Sequence, residues 1–313
     1  MALWSVWYDA IRTLRPAFSR ERTFPWFVVA VMGTSVRGDA LGLTSIVRAL
    51  GLQAKACHAL RECMHSKGID RQALARLRVR CVFQIFDTRV ERVNGRAVLI
   101  ADGKKIAKEG RKMPAVKRLH QESGNSAKPE FIRGHSCQAL SLLVNATAGT
   151  FAVPLDIRIH EGLVFSNRCK KTLLAGQLGL VKDLSLPGSH YLVADAAYAN
   201  GKMIKGTLAQ GHHLVTRVRT DAVAHEPAPV VPPGERRRGR PRQYGDKHKL
   251  AELFEDPSIQ ARTIPSPAHA ERGVTLTVRD CTLLWRPAAR LVRICSWIIP
   301  SADGSCCCLG MAA

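Results

Sequence analysis

Two apolar runs of the chain end in an aspartate: AVLIAD, closing on Asp102, and YLVAD, closing on Asp195. A carboxylate at the end of a buried strand is cheap only when it is solvated, caps a helix or holds a cation. Taken singly, Asp195 suits the N-cap of the helical pattern behind it, and Asp102 suits a turn. Together they offer more chemistry. Two acidic strand ends in one sheet can converge on a divalent ion, and the flanks of both are basic rather than acidic. Such a pair suits phosphodiester chemistry, in which two Mg²⁺ ions roughly 3.5–4 Å apart activate a water or 3′-hydroxyl and stabilise the leaving oxygen. Closely spaced hard cations need several anionic oxygens to offset their mutual repulsion. Two aspartates are therefore a minimum, and a third acidic ligand is expected.

The text around these residues changes character in four stages. Residues 1–92 read as helical, with periodic runs such as LTSIVRALGLQAKACHALRECMHSKG broken at glycines. Residues 93–220 mix the two periods. RAVLIADGKKI is a β-type run behind the turn signal Asn94-Gly95, and SCQALSLLVNATAGTFAVPLDIRIH predicts a hairpin around Thr-Ala-Gly-Thr. KTLLAGQLGLVKDL predicts a helix, SHYLVADAAYANGKMIKGTLAQG a strand, Asp195 and another helix, and HHLVTRVRT a last strand. Strands first paired as a meander and then alternating with helices make an α/β mixed sheet. Residues 221–294 turn to Pro, Arg, Gly and His before β-type text resumes, and read as a basic, partly β insertion. Residues 295–313, ending SCCCLGMAA, match none of these patterns.

Lys and Arg number 47 against 25 Asp and Glu, a formal net charge of +22. An excess of that size calls for a polyanionic partner, nucleic acid before any other. The basic residues are spread along the chain rather than set on one amphipathic helix, which counts against an anionic membrane. The first helix pattern places Trp4, Trp7, Tyr8, Ile11 and Leu14 on one face and resembles no secretory signal. The apolar run at 24–36 is too short to span a bilayer and is expected to be a buried core helix. The ten cysteines are unevenly placed in a long chain, so reduced thiols in a cytoplasm are expected.

Two basic stretches are candidates for phosphate contact. Lys104, Lys105, Arg111, Lys112, Lys117 and Arg118 follow Asp102, where they would hold phosphates and set register rather than read sequence; a plain charged surface is the alternative. RRRGRPRQYG, with Arg236, Arg237, Arg238, Arg240 and Arg242, has the Arg-Gly-Arg-Pro core of a minor-groove AT-hook and reads equally as a solvated basic loop. Cys57, His58, Cys63 and His65 lie close together, but 57 and 63 fall on different sides of a helix and no partner cluster follows, so packing is expected rather than zinc. His212 and His213 lead into a strand, where neighbouring side chains point to opposite faces and cannot act together.

The stretch VLIADGKKIAKEGRKMPAVKRLHQESGNSAKPEFIRGHSCQALSLLV, with YLVADAAYANGKMI and HHLVTRVR, resembles the DDE transposases of bacterial insertion sequences, over residues 23–294. The resemblance implies an RNase H-like mixed sheet flanked by helices, with an N-terminal helical region and a β-rich insertion before the last catalytic helix. It makes Asp102 and Asp195 the first two acidic ligands for Mg²⁺ (or Mn²⁺). The implied reaction is metal-dependent cleavage at element ends followed by strand transfer. The implied partners are double-stranded DNA, both transposon ends and target, with a homodimer in the DNA complex in a bacterial, nucleoid-associated setting.

The family's third ligand is a Glu in Tyr-x2-Arg-x3-Glu on a helix after the insertion, and this pattern is missing here. The nearest text, YGDKHKLAE, has Tyr244, Lys247 and Ala251 at those places, with Glu252 one residue late. One residue of slip turns a helical side chain by roughly 100°. The tail suggests why. If Ser296 is UCG and Ile298 and Ile299 are AUC, around the single Trp codon the neighbouring frame reads Val-Asp-His-Pro, and UGC-UGC-UGU shifted by one base reads as leucines. A frameshift near Ile294 is thus expected to have replaced the catalytic C-terminus, leaving a truncated and inactive chain. The alternative is a chain acting as a non-cutting, DNA-binding inhibitor of an intact transposase.

Overall fold

The computed structural model describes residues 3–39, 42–108, 110, 113–121, 129–147, 149–161, 171–219, 221–230, 232, 239–254, 256–265, 274–299 and 306–312. They fall into two units, Met1–Arg89 with Asp183–Leu186, and Val90–Lys182 with Pro187–Ala313.

The first unit is helical: α1 (Leu3–Leu14), α2 (Thr23–Val36), α3 (Leu43–Ala49), α4 (Ala56–His65) and α5 (Arg71–Ile85). Asp70 starts α5 by accepting from the backbone N–H groups of Gln72 (3.0 Å) and Ala73 (2.9 Å), two donors a helix start otherwise leaves unmet. Ala30, Ile46, Val47, Ala56 and Leu60 form its core, with Trp26 packed against them. Gly33 lets α2 approach α3, since a Cβ there would lie 2.3 Å from Ile46 Cγ2. The apolar run at 24–36 does not become the buried helix expected of it. In α2 only Thr23, Ala30 and Gly33 are buried, while Met32 and Val36 are exposed. A helix apolar on all sides needs cover on all sides, and within this unit α2 has it on one. Among the described residues no helix is long and apolar enough to cross a membrane.

The second unit is built on one sheet. Its early strands are β1 (Arg92–Val93), β2 (Arg96–Ala107), β3 (Lys117–His120), β4 (Phe131–Ala146) and β5 (Gly149–Ile159). Then come α6 (Leu173–Leu184), β6 (His190–Ala194), α7 (Gly201–Ala209) and β7 (His213–Arg217). The rest is β8 (Val223–Pro227), β9 (Tyr244–Lys249), β10 (Ala261–Pro265), β11 (Thr275–Trp285), β12 (Arg290–Ile299) and β13 (Cys306–Ala312). Asn94 and Gly95 both take positive φ (49° and 76°), which closes the β1–β2 hairpin in two residues.

β4 lies antiparallel between β2 and β5, while β2, β6 and β7 run parallel. Parallel neighbours need a crossover, and α7 supplies the one from β6 to β7. The order β5-β4-β2-β6-β7, with three antiparallel strands followed by two parallel ones, is the RNase H-like arrangement. Its centre is a single rung across four strands: Leu142, Leu99, Leu192 and Leu214 stand in register, each 0–1% exposed.

Beyond β7 the sheet continues β13-β12-β11-β8-β9, with β10 on β11. The turn between β11 and β12 docks on the start of α7 so closely that a Cβ at Gly201 would stand 1.8 Å from the Pro287 carbonyl oxygen. Residues 306–312, within the stretch set apart at 295–313, run antiparallel to both β12 and β7.

Candidate functional site

Asp102 lies on β2, and Asp195 follows the last residue of β6. The two strands pair in parallel through Ala101↔Ala194, so the aspartates occupy the next rung of neighbouring strands. Side chains alternate along a strand, and neighbouring strands lie about 4.7–4.9 Å apart. Leu99 and Ala101 belong to one face of β2, and Leu192 and Ala194 to the same face of β6. The carboxylates of Asp102 and Asp195 therefore share the other face, side by side, and both residues are exposed.

Local bonds hold each in place. The Gly103 N–H donates to Asp102 Oδ1 (2.7 Å). Asp195 keeps an extended backbone (φ −73°, ψ 177°), and its Oδ1 accepts the Ala197 N–H (3.0 Å), starting the short turn Ala196–Tyr198. Thr216 Oγ1 on β7 donates to the Asp195 carbonyl oxygen (2.6 Å), fastening the end of β6 to the next strand. The capping role weighed for Asp195 is thus present, and it occupies one carboxylate oxygen.

Tyr198 is the member of this group that the sequence reading missed. It is buried, and its hydroxyl is pushed up to about 12, first by burial and then by the charges of Asp195 and Asp102. Both carboxylates thus act on one phenol, which stays protonated and able to donate. The only sequence signal was an aromatic residue three positions after an aspartate that ends a strand.

The basic residues divide. Lys104 alternates onto the face of Asp102, whereas Lys105 falls on the opposite face, where its Nζ donates to the His120 carbonyl (2.7 Å). Lys117 is turned to His160, donating to its carbonyl oxygen (3.3 Å), and burial pulls its pKa down. Arg118 lies over the Phe131 ring, 4.0 Å from its centroid. Arg240 is exposed, and Arg242 pairs with Asp246 (3.3 Å). Arg111, Lys112, Arg236, Arg237 and Arg238 lie outside the described residues.

The stretch nearest to the missing third-ligand motif is a strand followed by one short 3-10 helix rather than an α-helix. Tyr244 and Lys247 lie on β9, and Ala251 and Glu252 in the short turn Leu250–Phe254, where Glu252 pairs with Lys249 (3.5 Å). Among the described residues no three His, Cys, Asp or Glu side chains gather as a metal-binding group, whether here or around Cys57, His58, Cys63 and His65. Buried Cys63 Sγ points to the Thr23 carbonyl (3.5 Å). His212 faces His190, with ring centroids 5.1 Å apart, while His213 lies against Tyr191 at 5.8 Å. The two histidines thus meet different partners, as strand alternation requires.

The donor set suits a hard divalent cation: two adjacent, exposed carboxylates with a neutral phenol near them. A family model described as DDE superfamily endonuclease matches residues 14–287. Among solved structures, a piggyBac transposase synaptic complex with hairpin DNA, determined by cryo-EM, aligns at 13% identity with a TM-score of 0.42. That alignment covers 94% of this chain and 52% of the other, so this chain spans about half its length. No curated protein matches.

Proposed function

This chain belongs to the DDE superfamily of endonucleases, and from that membership we propose that its chemistry is DNA transposition: metal-dependent cleavage and strand transfer at the ends of an insertion sequence. The observation that carries the proposal is the parallel register of β2 and β6, which sets Asp102 and Asp195 on one face, one rung beyond Ala101↔Ala194. In this reading the two carboxylates hold Mg²⁺ or Mn²⁺. When bound, the ion supplies Lewis-acid polarisation of the phosphoryl oxygen and a more acidic attacking hydroxyl.

The residues of the chain do the rest. Asp102 and Asp195 face the DNA strand, fixed by the Gly103 and Ala197 amides. Tyr198, buried near both, keeps its proton, since burial and the two carboxylates raise its pKa. Lys104, on the same face, offsets phosphate charge. Arg118, Arg240 and Arg242 are taken as further phosphate contacts, and two copies of the chain bring two ends together.

A second reading has its own support. Tyr-x2-Arg-x3-Glu is absent from the sequence, and no third ligand gathers among the described residues. Two ligands without a third hold a metal weakly, so this chain is proposed to bind element ends without efficient cutting, as an inhibitor of an intact transposase. Cleavage of labelled duplex taken from the flanks of the gene, in Mg²⁺, separates the readings. Cutting that Asp102→Asn abolishes supports the enzyme, and end-specific binding without cutting supports the inhibitor. Binding with no preference for ends, unchanged by Asp195→Ala, would leave only a generic basic nucleic-acid protein. The nucleotide sequence beyond the Ile294 codon tests the frameshift: no Tyr-x2-Arg-x3-Glu in any frame would end it.

A further inference from the structure

A cleft of about 430 Å³ opens in the helical unit between the start of α2 and the end of α4. Its walls are tied by the backbone. Phe18 and Ile69 form a β-bridge, the Ser19 N–H donates to the Gly68 carbonyl (2.9 Å), and the Asp70 N–H donates to Ala17 (2.9 Å). This clip presents Arg20 and Arg22 from one segment and Lys67 from the other. The hydroxyls of Thr23 and Ser66 meet between them at 3.3 Å. Trp26 lines the cleft and packs against the core of Ala30, Ile46, Val47, Ala56 and Leu60.

The charges around it are sorted. Glu21, between the two arginines, is paired with Arg15, and Glu62, the acid in the lining, lies 3.8 Å from Arg61. A further ion pair joins Arg48 to Asp39. Arg20, Arg22 and Lys67 are left out of these pairs, so three cations and two hydroxyls converge on one concave site beside an indole. Arginine forks and a lysine ammonium suit phosphate oxygens, hydroxyls add neutral donors, and a flat aromatic wall suits a sugar or base.

We propose that this cleft is a second DNA contact, gripping a phosphodiester of one strand between Arg20, Arg22 and Lys67 with the attached nucleoside against Trp26. It is separate from the aspartate pair, and it rests on the reading above only in taking DNA as the partner. Each phosphate contact removed lowers the steepness of log K against log salt by about 0.9 on duplex DNA.

The test is fluorescence-anisotropy binding of the full chain to a labelled duplex between about 50 and about 200 mM salt. The double variant Arg20→Gln, Lys67→Gln is compared with wild type, and Arg22→Gln, Lys67→Gln repeats the test without touching Arg20, whose stem packs on Gly68. Arg48→Gln, Arg80→Gln removes the same charge away from the cleft lining. Two lost contacts should flatten the slope by about 1.8 and narrow the gap to wild type roughly tenfold over that salt range. The control should keep the wild-type slope. Equal slopes for all four proteins, or equal flattening in the control, overturn the inference while leaving the family reading intact. Inorganic phosphate binding that the cleft variants abolish, with DNA binding untouched, would make the cleft a free-anion site and also overturn it. A wild type that binds no duplex at all defeats the DNA reading itself.

Discussion

Replacing His190 by glutamine tests how far the strands beside Asp195 depend on two neutral imidazoles. His190 starts β6 and is 1% exposed, and His212, directly before β7, is 7% exposed. The His190 pKa is pushed from 6.5 down to about 4, by burial first, then by His212, with a smaller push from Arg92 and an opposing pull from a backbone bond at Gly188. His212 is lowered too, by burial and by His213. The sign follows from which state takes the proton. Below pH 6.5 the unfolded chain protonates while the folded His190 resists, so stability is lost as the pH falls from about 6.5 to about 4 and levels off below. At 1.36 kcal/mol per pH unit, the loss between pH 7 and pH 4 is about 3 kcal/mol for His190 alone. Urea unfolding followed by circular dichroism, at several pH values in that window, measures it. Wild type and His190→Gln share every carboxylate, so the difference between their stability–pH curves isolates the imidazole. The stability of wild type relative to the variant should fall by about 3 kcal/mol on going from neutral to acid. Parallel curves would refute the argument.

Three other substitutions probe local packing and capping. Gly201→Ala would drive a methyl into the Pro287 carbonyl and should destabilise the second unit by about 1–3 kcal/mol by chemical denaturation. Gly179→Ala, inside α6 with nothing within 4 Å, should instead stabilise by about 0.5–1 kcal/mol. Asp70→Ala removes both cap bonds of α5 and should cost about 1 kcal/mol, read in the same way.

Local period carried much of the fold into the sequence. The hairpin of β4 and β5, the helix α6, the strand β6 with its terminal Asp195, and β7 each lie where a 2-residue or 3.6-residue repeat predicts them. So does the divergence of His212 and His213, which needs only the alternation of a strand. What escaped depends on partners distant in sequence. The apolar run at 24–36 gave a helix, but its repeat is silent on how many sides would be covered, and α2 keeps Met32 and Val36 exposed. YGDKHK has no clear period, and antiparallel pairing with β8 makes it a strand. Lys104 and Lys105 looked alike until the face of Asp102 was known. Tyr198 was brought near the aspartates by the short turn that Asp195 caps, and CCCLGMA became a strand because β7 and β12 leave an edge on each side of it.

The seat of β13 has a consequence for how this molecule is made and lost. It lies inside the sheet, between a strand that ends at Arg217 and one that begins at Arg290. A ribosome must deliver everything through Ala312 before those two can be joined, and until then each shows a row of bare amides and carbonyls to its surroundings. A nick between Ile299 and Cys306 would free that strand and reopen both rows at once. Inclusion bodies, rather than a smaller soluble fragment, are the expected fate of chains cut there.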